Sequence, residues 1–389
     1  MGAARRVVRT AARECRIISG NPIYVWCMAV FPVLTVLFFT TMLQSGQPTD
    51  MPVGVVDQDG TALSRDMARR LDGLQASEVV AKFSDVHGAM SAMRRNEIYA
   101  FLLIPKGTEA GLSSSAQPKV SFYYSYTSLT AGALLYREMK TTALLTLAGA
   151  AKAKLAAKGL TGERAEAFVQ PVVLDLHLAG NPWADYNVYV STIVVPGVLM
   201  IFIMLMAAYS IGTELKFGRS KDWVAVAGGN PYVALVGKLL PQAFAYGAVV
   251  CGYALYVFGA LGFPNNGGAA PMALLSLLSV SAPMGVGVFM FGIMPSLRMS
   301  MSVCSLWAVL GFTASGATFP IEAMAPEIGA MAQLFPLRHY YMLYQQCVLG
   351  GFPLHGAWWH IAALSAFSLL PLLVAGRIKR VMLKYVYIP

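Results

Sequence analysis

Charged side chains are scarce in this chain, and their scarcity excludes an ordinary soluble protein. Only 12% of the 389 residues are Asp, Glu, Lys or Arg, whereas 57% are hydrophobic. Soluble domains carry about 25% charged residues. One apolar span lies near the N-terminus, a long water-compatible stretch follows it, and the rest of the chain is an almost unbroken series of apolar segments. The sequence therefore predicts a polytopic membrane protein with one large polar domain.

Cysteine is also rare, and its placement excludes a disulfide framework in that polar domain. The cysteines are scattered singly and lie outside the polar stretch, at Cys15, Cys27, Cys251, Cys304 and Cys347. We therefore expect the domain to fold around a hydrophobic core of its own.

The chain lacks the residue patterns of an enzyme or a metal site. Asp57 and Asp59 lack the spacing of a calcium-binding loop, and no pair of histidines has the spacing of a metal site with supporting partners. We therefore expect no catalytic residue, no bound metal and no cofactor in this chain. The net charge of +10 does not indicate nucleic acid, because Lys and Arg cluster where loops meet a cytoplasmic membrane face.

Six apolar segments are long enough to cross a bilayer, which takes about 20 helical residues. The first covers residues 23–43 and contains no charged side chain. Its apolar core is longer than that of a signal peptide, so we expect it to remain as an anchor. The other five spans are predicted at about residues 188–211, 233–261, 272–294, 299–319 and 357–375.

The distribution of positive charge predicts the orientation of these spans. Lys and Arg are concentrated in the N-terminal segment, in the loop of residues 212–222 and in the C-terminal tail, whereas the short loops on the other side carry almost none. By the positive-inside rule both termini are cytoplasmic. Long translocated domains are largely exempt from this rule, so residues 44–187 are placed on the extracytoplasmic side.

Residues 44–187 alternate between strand and helix patterns, which is typical of an α/β domain. Strands are predicted at residues 52–57, 78–83, 99–104, 119–126 and 172–178. Helices are predicted at residues 64–74, 85–96 and 131–170, the last with a break near 159–162. Ser64 and Asp85 are the predicted N-caps of the first two helices.

Four segments in this order resemble a known family. They are an Arg-rich amphipathic N-terminal segment, Val-Gly-Val-Val-Asp (53–57) leading on to Tyr-Ala-Phe-Leu-Leu-Ile-Pro (99–105), Gly-Thr-Glu (212–214) after span two, and Ser-Gly-Ala-Thr-Phe-Pro (315–320) with Phe-Pro-Leu-Arg-His-Tyr (335–340) between the last spans. Together they resemble the membrane (permease) subunit of a bacterial ATP-binding-cassette (ABC) exporter of the type 2 class. The branch is the one with a large extracytoplasmic domain between spans one and two.

The resemblance implies an α-helical polytopic membrane protein of six transmembrane helices, with an extracytoplasmic α/β domain inserted between helices 1 and 2. Residues 1–22 would form an elbow helix on the cytoplasmic face, residues 212–232 a cytoplasmic coupling loop, and residues 320–356 a broken outer hairpin. The implied location is the bacterial inner (cytoplasmic) membrane.

The resemblance also implies a function and partners. The function is ATP-driven export of a hydrophobic or amphiphilic small molecule or lipid by a dimer of permeases. The partners are a cytoplasmic ABC ATPase subunit, a second permease copy or paralogue, and membrane lipid. Whether a periplasmic adaptor protein and an outer-membrane channel are also partners is left open by the sequence. The nearest match to a phosphate-binding loop, Gly-Lys-Leu (237–239), lacks the first glycine and the hydroxyl of that motif. ATP and Mg²⁺ are therefore expected in the partner ATPase, not here.

Three groups of candidate site residues follow from the resemblance and from side-chain chemistry. Coupling to the ATPase is assigned to Glu214, Lys216, Arg219, Lys221, Asp222 and Trp223. A substrate path of adaptable apolar side chains is assigned to Tyr24, Trp26, Phe31, Tyr189, Met200, Met204, Trp307 and Phe312. An outer gate is assigned to Phe319, Pro320, Glu322, Arg338 and His339. For each residue an ordinary role in packing or in anchoring at the membrane surface is the competing interpretation.

Two other classes of function stay open from the sequence. An ion-coupled secondary transporter would place Asp, Glu or His in the middle of its spans, and the six predicted cores contain essentially none. A membrane-anchored receptor or assembly factor that uses its outer domain would need only one or two spans.

Overall fold

A computed structural model of the chain describes residues 2–114, 118–125, 128–159, 162–169, 181, 183–385 and 387. The chain forms two compact units: Met1–Gln44 with Leu178–Pro389, and Ser45–His177. We call them the helical unit and the α/β unit. The strand predicted at residues 172–178 lies outside the described residues.

The helical unit begins with an amphipathic helix and an apolar span. Helix α1 is Ala3–Gly20, α2 is Pro22–Val25, a π-helical turn follows at Trp26–Val30, and α3 is Phe31–Met42. Pro22 suits the first helical position, where a backbone N–H has no partner, and the Asn21 side chain accepts a hydrogen bond from the Ile23 amide at 3.0 Å. These residues separate α1 from the span.

The α/β unit is built around a four-stranded sheet. Its elements, in chain order, are β1 (Met51–Asp57), α4 (Ala62–Asp72), β2 (Ser77–Phe83), α5 (Val86–Arg94), β3 (Ala100–Ile104), α6 (Thr108–Ser113), β4 (Ser121–Tyr124), α7 (Leu129–Ala157) and α8 (Glu163–Val169). The strand order is β2-β1-β3-β4. Strand β1 pairs in parallel with β2 and β3, and β4 pairs antiparallel with β3.

Both faces of this sheet are covered, because side chains alternate between faces along a strand. Val53 and Val55 of β1 pack in one cluster with residues of α4 and α7. Val56 packs on the opposite side with Ala89 and Ala92 of α5. The described part of this unit therefore has the hydrophobic core that its lack of cysteine requires.

One predicted helix cap is wrong by three residues. Thr61, not Ser64, is the N-cap of α4, and its hydroxyl accepts a hydrogen bond from the Ser64 amide at 3.3 Å. Ser64 occupies the third helical position and accepts from the Thr61 amide at 2.9 Å, which completes a capping box. The predicted Asp85 cap of α5 is confirmed.

The rest of the helical unit is a series of helices. They are α9 (Tyr186–Lys216), α10 (Ser220–Val226), α11 (Pro231–Ala254) with a π-helical turn at Leu255–Ala260, α12 (Ala269–Ile293), α13 (Leu297–Thr313), α14 (Pro326–Ala332), α15 (Pro336–Leu343) with a π-helical turn at Tyr344–Leu349, α16 (Trp358–Leu369) and α17 (Pro371–Lys384). Short 3₁₀ turns lie at Ile321–Ala323 and Leu354–Ala357.

Five helices in the described part of the chain are long and apolar enough to span a membrane. They are Pro22–Met42, Tyr186–Lys216, Pro231–Ala260, Ala269–Ile293 and Leu354–Lys384. The span predicted at residues 299–319 corresponds to the shorter apolar helix Leu297–Thr313. The chain is therefore a multi-pass membrane protein, and the count of six spans stays a prediction.

Helix α12 packs closely against its neighbours through glycine. A Cβ atom added at Gly287 would lie 2.3 Å from the carbonyl oxygen of Met204 on α9. A Cβ at Gly285 would lie 2.1 Å from the carbonyl oxygen of Phe367 on α16. Backbones can approach this closely in a membrane only where small residues line the contact.

Candidate functional site

A buried carboxylate near the end of α9 joins three helices of the helical unit. Glu214 accepts two hydrogen bonds from the Arg13 guanidinium of α1, at 2.7 and 2.8 Å, and a third from the Lys238 ammonium of α11 at 2.8 Å. Lys238 also donates to Glu14 of α1 at 2.6 Å. We call Arg13, Glu14, Glu214 and Lys238 the ion cluster.

The ion cluster is mostly buried and is balanced in charge. The side chains of Glu14, Glu214 and Lys238 are each 1% exposed, and that of Arg13 is 19% exposed. Two cations face two anions, which is the arrangement under which buried charges are tolerated. Burial raises the pKa of Glu14 above its ordinary value, and Lys238 opposes that rise. The hydrogen bond with Glu214 raises the pKa of Arg13.

Helix α1 approaches α11 closely enough to make this cluster possible. A Cβ atom added at Gly237 would lie 2.5 Å from the Cβ of Thr10. Gly237 precedes Lys238, so the contact brings the ammonium group of Lys238 to the carboxylate of Glu14, one turn along α1 from Thr10. The close packing of Gly237 against Thr10 thus places Lys238 beside Glu14.

The six residues predicted to couple to an ATPase are divided by the structure into buried and exposed ones. Trp223 is 1% exposed, its indole N–H donates to the carbonyl of Ala234 at 3.3 Å, and the Lys238 nitrogen lies 5.2 Å from its ring centre. Trp223 and Glu214 therefore offer no side-chain surface to a partner. They connect α9 and α10 to α11.

The exposed residues around α10 form a mixed polar and aromatic surface. Phe217 and Tyr232, at either end of this segment, are 56% and 49% exposed. Lys216 and Arg219 lie 5.8 and 5.2 Å from the centre of the Phe217 ring. We call the following residues the α10 face: Lys216, Phe217, Lys221, Asp222, Val226 and Tyr232.

The turn between α10 and α11 is held by backbone conformations that favour glycine. Gly228 and Gly229 have φ angles of +68° and +75°. A Cβ at Gly228 would lie 2.4 Å from a guanidinium nitrogen of Arg6, so α1 packs directly on this turn. Asn230 caps α11 by accepting a hydrogen bond from the Tyr232 amide at 2.9 Å. The α10 face is thus fixed to α1 and α11.

The eight predicted substrate-path residues lie in separate places. One group surrounds a crevice of about 20 Å³ between α9, α12, α13 and α15, which is room for about one water molecule. It consists of Met200, Met204, Trp307 and Phe312. The described residues thus form no open path at these four side chains.

The other four path residues are distributed along span one and at the start of α9. Tyr24 is buried with its ring 5.6 Å from that of Tyr209. Trp26 and Phe31 are both exposed, and the centres of their rings lie 5.4 Å apart. Tyr189 is 41% exposed and its hydroxyl donates to the carbonyl of Ala317.

The residues of the predicted outer gate are also divided into buried and exposed ones. Arg338 is buried and donates to the carbonyl of Ser315 at 3.2 Å, and Gly316, at φ +87°, leaves the space that its guanidinium occupies. Phe319, Pro320 and Glu322 are exposed. Prolines divide this segment into short pieces: Pro320 precedes a 3₁₀ turn, and Pro326 and Pro336 begin α14 and α15.

His339 pairs with a histidine that the sequence reasoning did not single out. Its Nε2 lies 2.9 Å from the carbonyl of Gln333, so this nitrogen carries the proton in the neutral ring. Its Nδ1 lies 3.0 Å from Nδ1 of His360 and accepts from it. The pair links α15 to α16.

Sequence reasoning missed most of the ion cluster. Of its four residues, only Glu214 is among the candidate site residues of the sequence analysis. The available signal was Lys238 itself, because a lysine at such a depth in an apolar span requires an acidic partner.

Comparison with known proteins identifies the family. The chain matches the family described as ABC-2 family transporter protein over residues 22–377. A comparison with curated proteins finds no match. Proteins of this family are the membrane components of transporters that take their energy from a cytoplasmic ABC ATPase, and they are not themselves catalytic. The chain belongs to the ABC-2 family and is a permease of the ABC type 2 class.

Proposed function

We propose that this chain is the permease subunit of an ATP-driven exporter and that the ion cluster transmits the movement of the ATPase to the spans. The observation that carries the proposal is the connection of α1, α9 and α11 through Arg13, Glu14, Glu214 and Lys238. Helix α10 lies between α9 and α11 along the chain. A force applied to α10 therefore reaches three helices at once.

The α10 face is the proposed docking surface of the ATPase on the cytoplasmic side. Aromatic residues are enriched in protein interfaces, whose rim is polar and open to solvent. Arg219, half-exposed beside Phe217, lies at the edge of this surface. Both termini are cytoplasmic in this proposal, and the α/β unit is extracytoplasmic, in a bacterial inner membrane. ATP and Mg²⁺ belong to the ATPase.

The chain is proposed to act as a dimer, with a second copy or a paralogue. Span one supports this, because it presents a series of exposed apolar side chains that lipid or another protein chain must cover. The series includes Trp26, Phe31, Leu34, Leu37 and Phe38. The proposed cargo is a hydrophobic or amphiphilic small molecule or lipid, since the side chains assigned to the substrate path, among them Met200, Met204, Trp307 and Phe312, are apolar.

The ion-coupled alternative is favoured by one observation. Lys238, Glu214 and His360 lie in candidate spans and interact with other ionisable side chains, Lys238 and Glu214 with each other and His360 with His339. Buried ionisable groups in spans are often proton or ion sites. The test must therefore separate ATP-driven from ion-driven movement.

The experiment uses the chain and the ABC ATPase that co-purifies with it, reconstituted in proteoliposomes with a fluorescent amphiphile. The proposal predicts movement that requires ATP and that persists when the proton gradient is collapsed. Movement driven by a proton gradient without ATP would contradict it.

Charge reversal on the docking surface supplies the matched comparison. Lys221→Glu and Asp222→Lys are expected to reduce co-purification of the ATPase at least fivefold, because both side chains are exposed on α10. Lys140→Glu, an exposed charge reversal on α7, is expected to leave co-purification unchanged. Equal loss in all three variants would argue against docking at α10.

A further inference from the structure

The α/β unit contains a pocket that the proposed transport mechanism does not use. It lies among α4, α6, β4 and α7 and has a volume of about 640 Å³. Small-molecule sites in proteins span about 300–1,000 Å³. This pocket is therefore large enough for a small ligand.

The wall of the pocket is mainly apolar and its floor is buried. Its apolar lining includes Leu63, Met67, Leu112, Phe122, Ala143 and Leu147. Met67 is 3% exposed and belongs to the floor, whereas Leu147 is 54% exposed and lies at the mouth. A ligand would therefore place apolar groups inward and its polar end outward.

Positively charged side chains lie at or near this pocket. Lys119 lines the pocket and is exposed to solvent, so it belongs to the mouth. The Lys154 ammonium of α7 donates to the carbonyl of Leu112, which is itself a lining residue. The described residues that line the pocket include no Asp or Glu.

We propose that this pocket binds a single-chain amphiphile with an anionic headgroup, such as a fatty acid. The acyl chain lies against Met67, Phe122 and Ala143, and the carboxylate lies at the mouth beside Lys119. The buried floor favours an apolar chain, since its polar groups include Thr108 and Thr146, whose hydroxyls already donate to the carbonyls of Pro105 and Thr142. The cationic mouth favours an anion over a neutral headgroup. The proposal concerns binding alone and does not depend on the proposed export.

The test uses the full-length chain in lipid nanodiscs with a photoactivatable palmitate that carries a diazirine in its acyl chain. After irradiation, cross-linked peptides are identified by mass spectrometry. The proposal predicts cross-links in α4, β4 and α7 that excess unlabelled palmitate removes. Cross-links confined to the spans would overturn it.

Two pairs of variants then test the wall and the mouth. Ala143→Trp fills the pocket and is expected to lower cross-linking at least fivefold, whereas Leu144→Trp, at an exposed neighbouring position, leaves it unchanged. Lys119→Glu is expected to lower it severalfold, and the exposed Lys140→Glu is the control. Unchanged labelling in Ala143→Trp would contradict the proposal.

A third experiment tests the headgroup of the ligand. It uses the wild-type chain and so does not depend on the folding of a variant. The same photoactivatable chain with a neutral amide headgroup is compared with the palmitate. The proposal predicts at least fivefold weaker labelling of the pocket by the amide. Equal labelling by both probes would overturn the assignment of an anionic ligand.

Discussion

Lys238 is the residue on which the ion cluster depends, because it is the partner of both carboxylates. Replacing it with Met leaves Glu14 and Glu214 buried with Arg13 as their only cation within the cluster. Removing one partner of a buried ion pair costs about 3–5 kcal/mol. We expect Lys238→Met to lower the free energy of unfolding by that order, measured by thermal unfolding in nanodiscs.

A second substitution separates lost charge balance from lost packing. Lys238→Met combined with Glu14→Gln removes a matched pair of charges and leaves Arg13 with Glu214. We expect the double variant to recover more than half of the loss. Arg9→Met, an exposed position on α1, should change stability little. A double variant as unstable as the sum of its single variants would show that charge balance is not the cause.

Asp59 is the residue that connects the end of β1 to α6. Its carboxylate accepts from the backbone amides of Gly107, Thr108 and Glu109 at 2.6, 3.0 and 3.1 Å, and from the Thr61 hydroxyl at 2.8 Å. Burial raises its pKa, but the hydrogen bonds from Thr61 and these amides outweigh that effect and hold the pKa below its ordinary value.

The pH dependence follows from the sign of this shift. A lowered pKa in the folded state stabilises the protein above the unfolded pKa of about 4 and loses that effect as the pH falls. We expect Asp59→Ala to speed hydrogen exchange of the amides at residues 107–109 about fivefold at pH 7, since about 1 kcal/mol of hydrogen bonding is lost. Near pH 3 the difference should shrink. A constant difference across this range would contradict the account.

At the scale of elements, the packing of α12 depends on having no side chain at Gly287. Gly287→Ala would place a Cβ 2.3 Å from the Met204 carbonyl and force α12 from α9. Overpacking of this kind costs about 1–3 kcal/mol. Gly252→Ala in α11, where a Cβ meets nothing within 4 Å, is the matched control. Thermal unfolding of both variants in nanodiscs checks the prediction, and equal midpoints would contradict it.

The elements with strong periodicity were predictable from the sequence, and the side-chain contacts between them were not. The strands at 52–57, 78–83 and 99–104 were predicted within one residue, because apolar runs ended by turn residues are a local signal. The Thr61 cap was missed because two hydroxyl residues three positions apart fit one capping box. Nothing local indicates which of them begins the helix.

The candidate site was predictable as a segment but not as an arrangement. Sequence reasoning placed coupling residues between spans two and three, where α10 lies. It assigned Glu214 and Trp223 to coupling with the ATPase, and both are buried, with hydrogen bonds to Lys238 and Ala234. The partner Arg13 is 201 residues away from Glu214, and only the packing of α1 on α11 brings it there. The pairing of His339 with His360 is equally non-local.

At the scale of the whole molecule, the ABC-2 family assignment and the ion cluster lead to one account of energy transfer. An ATPase docked on the α10 face would pull or push α10, and the buried charges would carry that movement to α1, α9 and α11. Without the cluster the same docking surface would remain, since none of the cluster residues belongs to the exposed face. Docking and transmission are therefore separable by mutation.

The most direct test is ATP turnover by the co-purifying ATPase, bound to wild-type permease or to the Lys238→Met, Glu14→Gln and double variants in nanodiscs. Our account predicts that Lys238→Met leaves the ATPase bound but lowers amphiphile-stimulated turnover at least fivefold. The double variant should recover a smaller fraction of the lost turnover than of the lost stability. Full wild-type turnover in a stable, ATPase-bound Lys238→Met variant would contradict a role of the ion cluster in coupling.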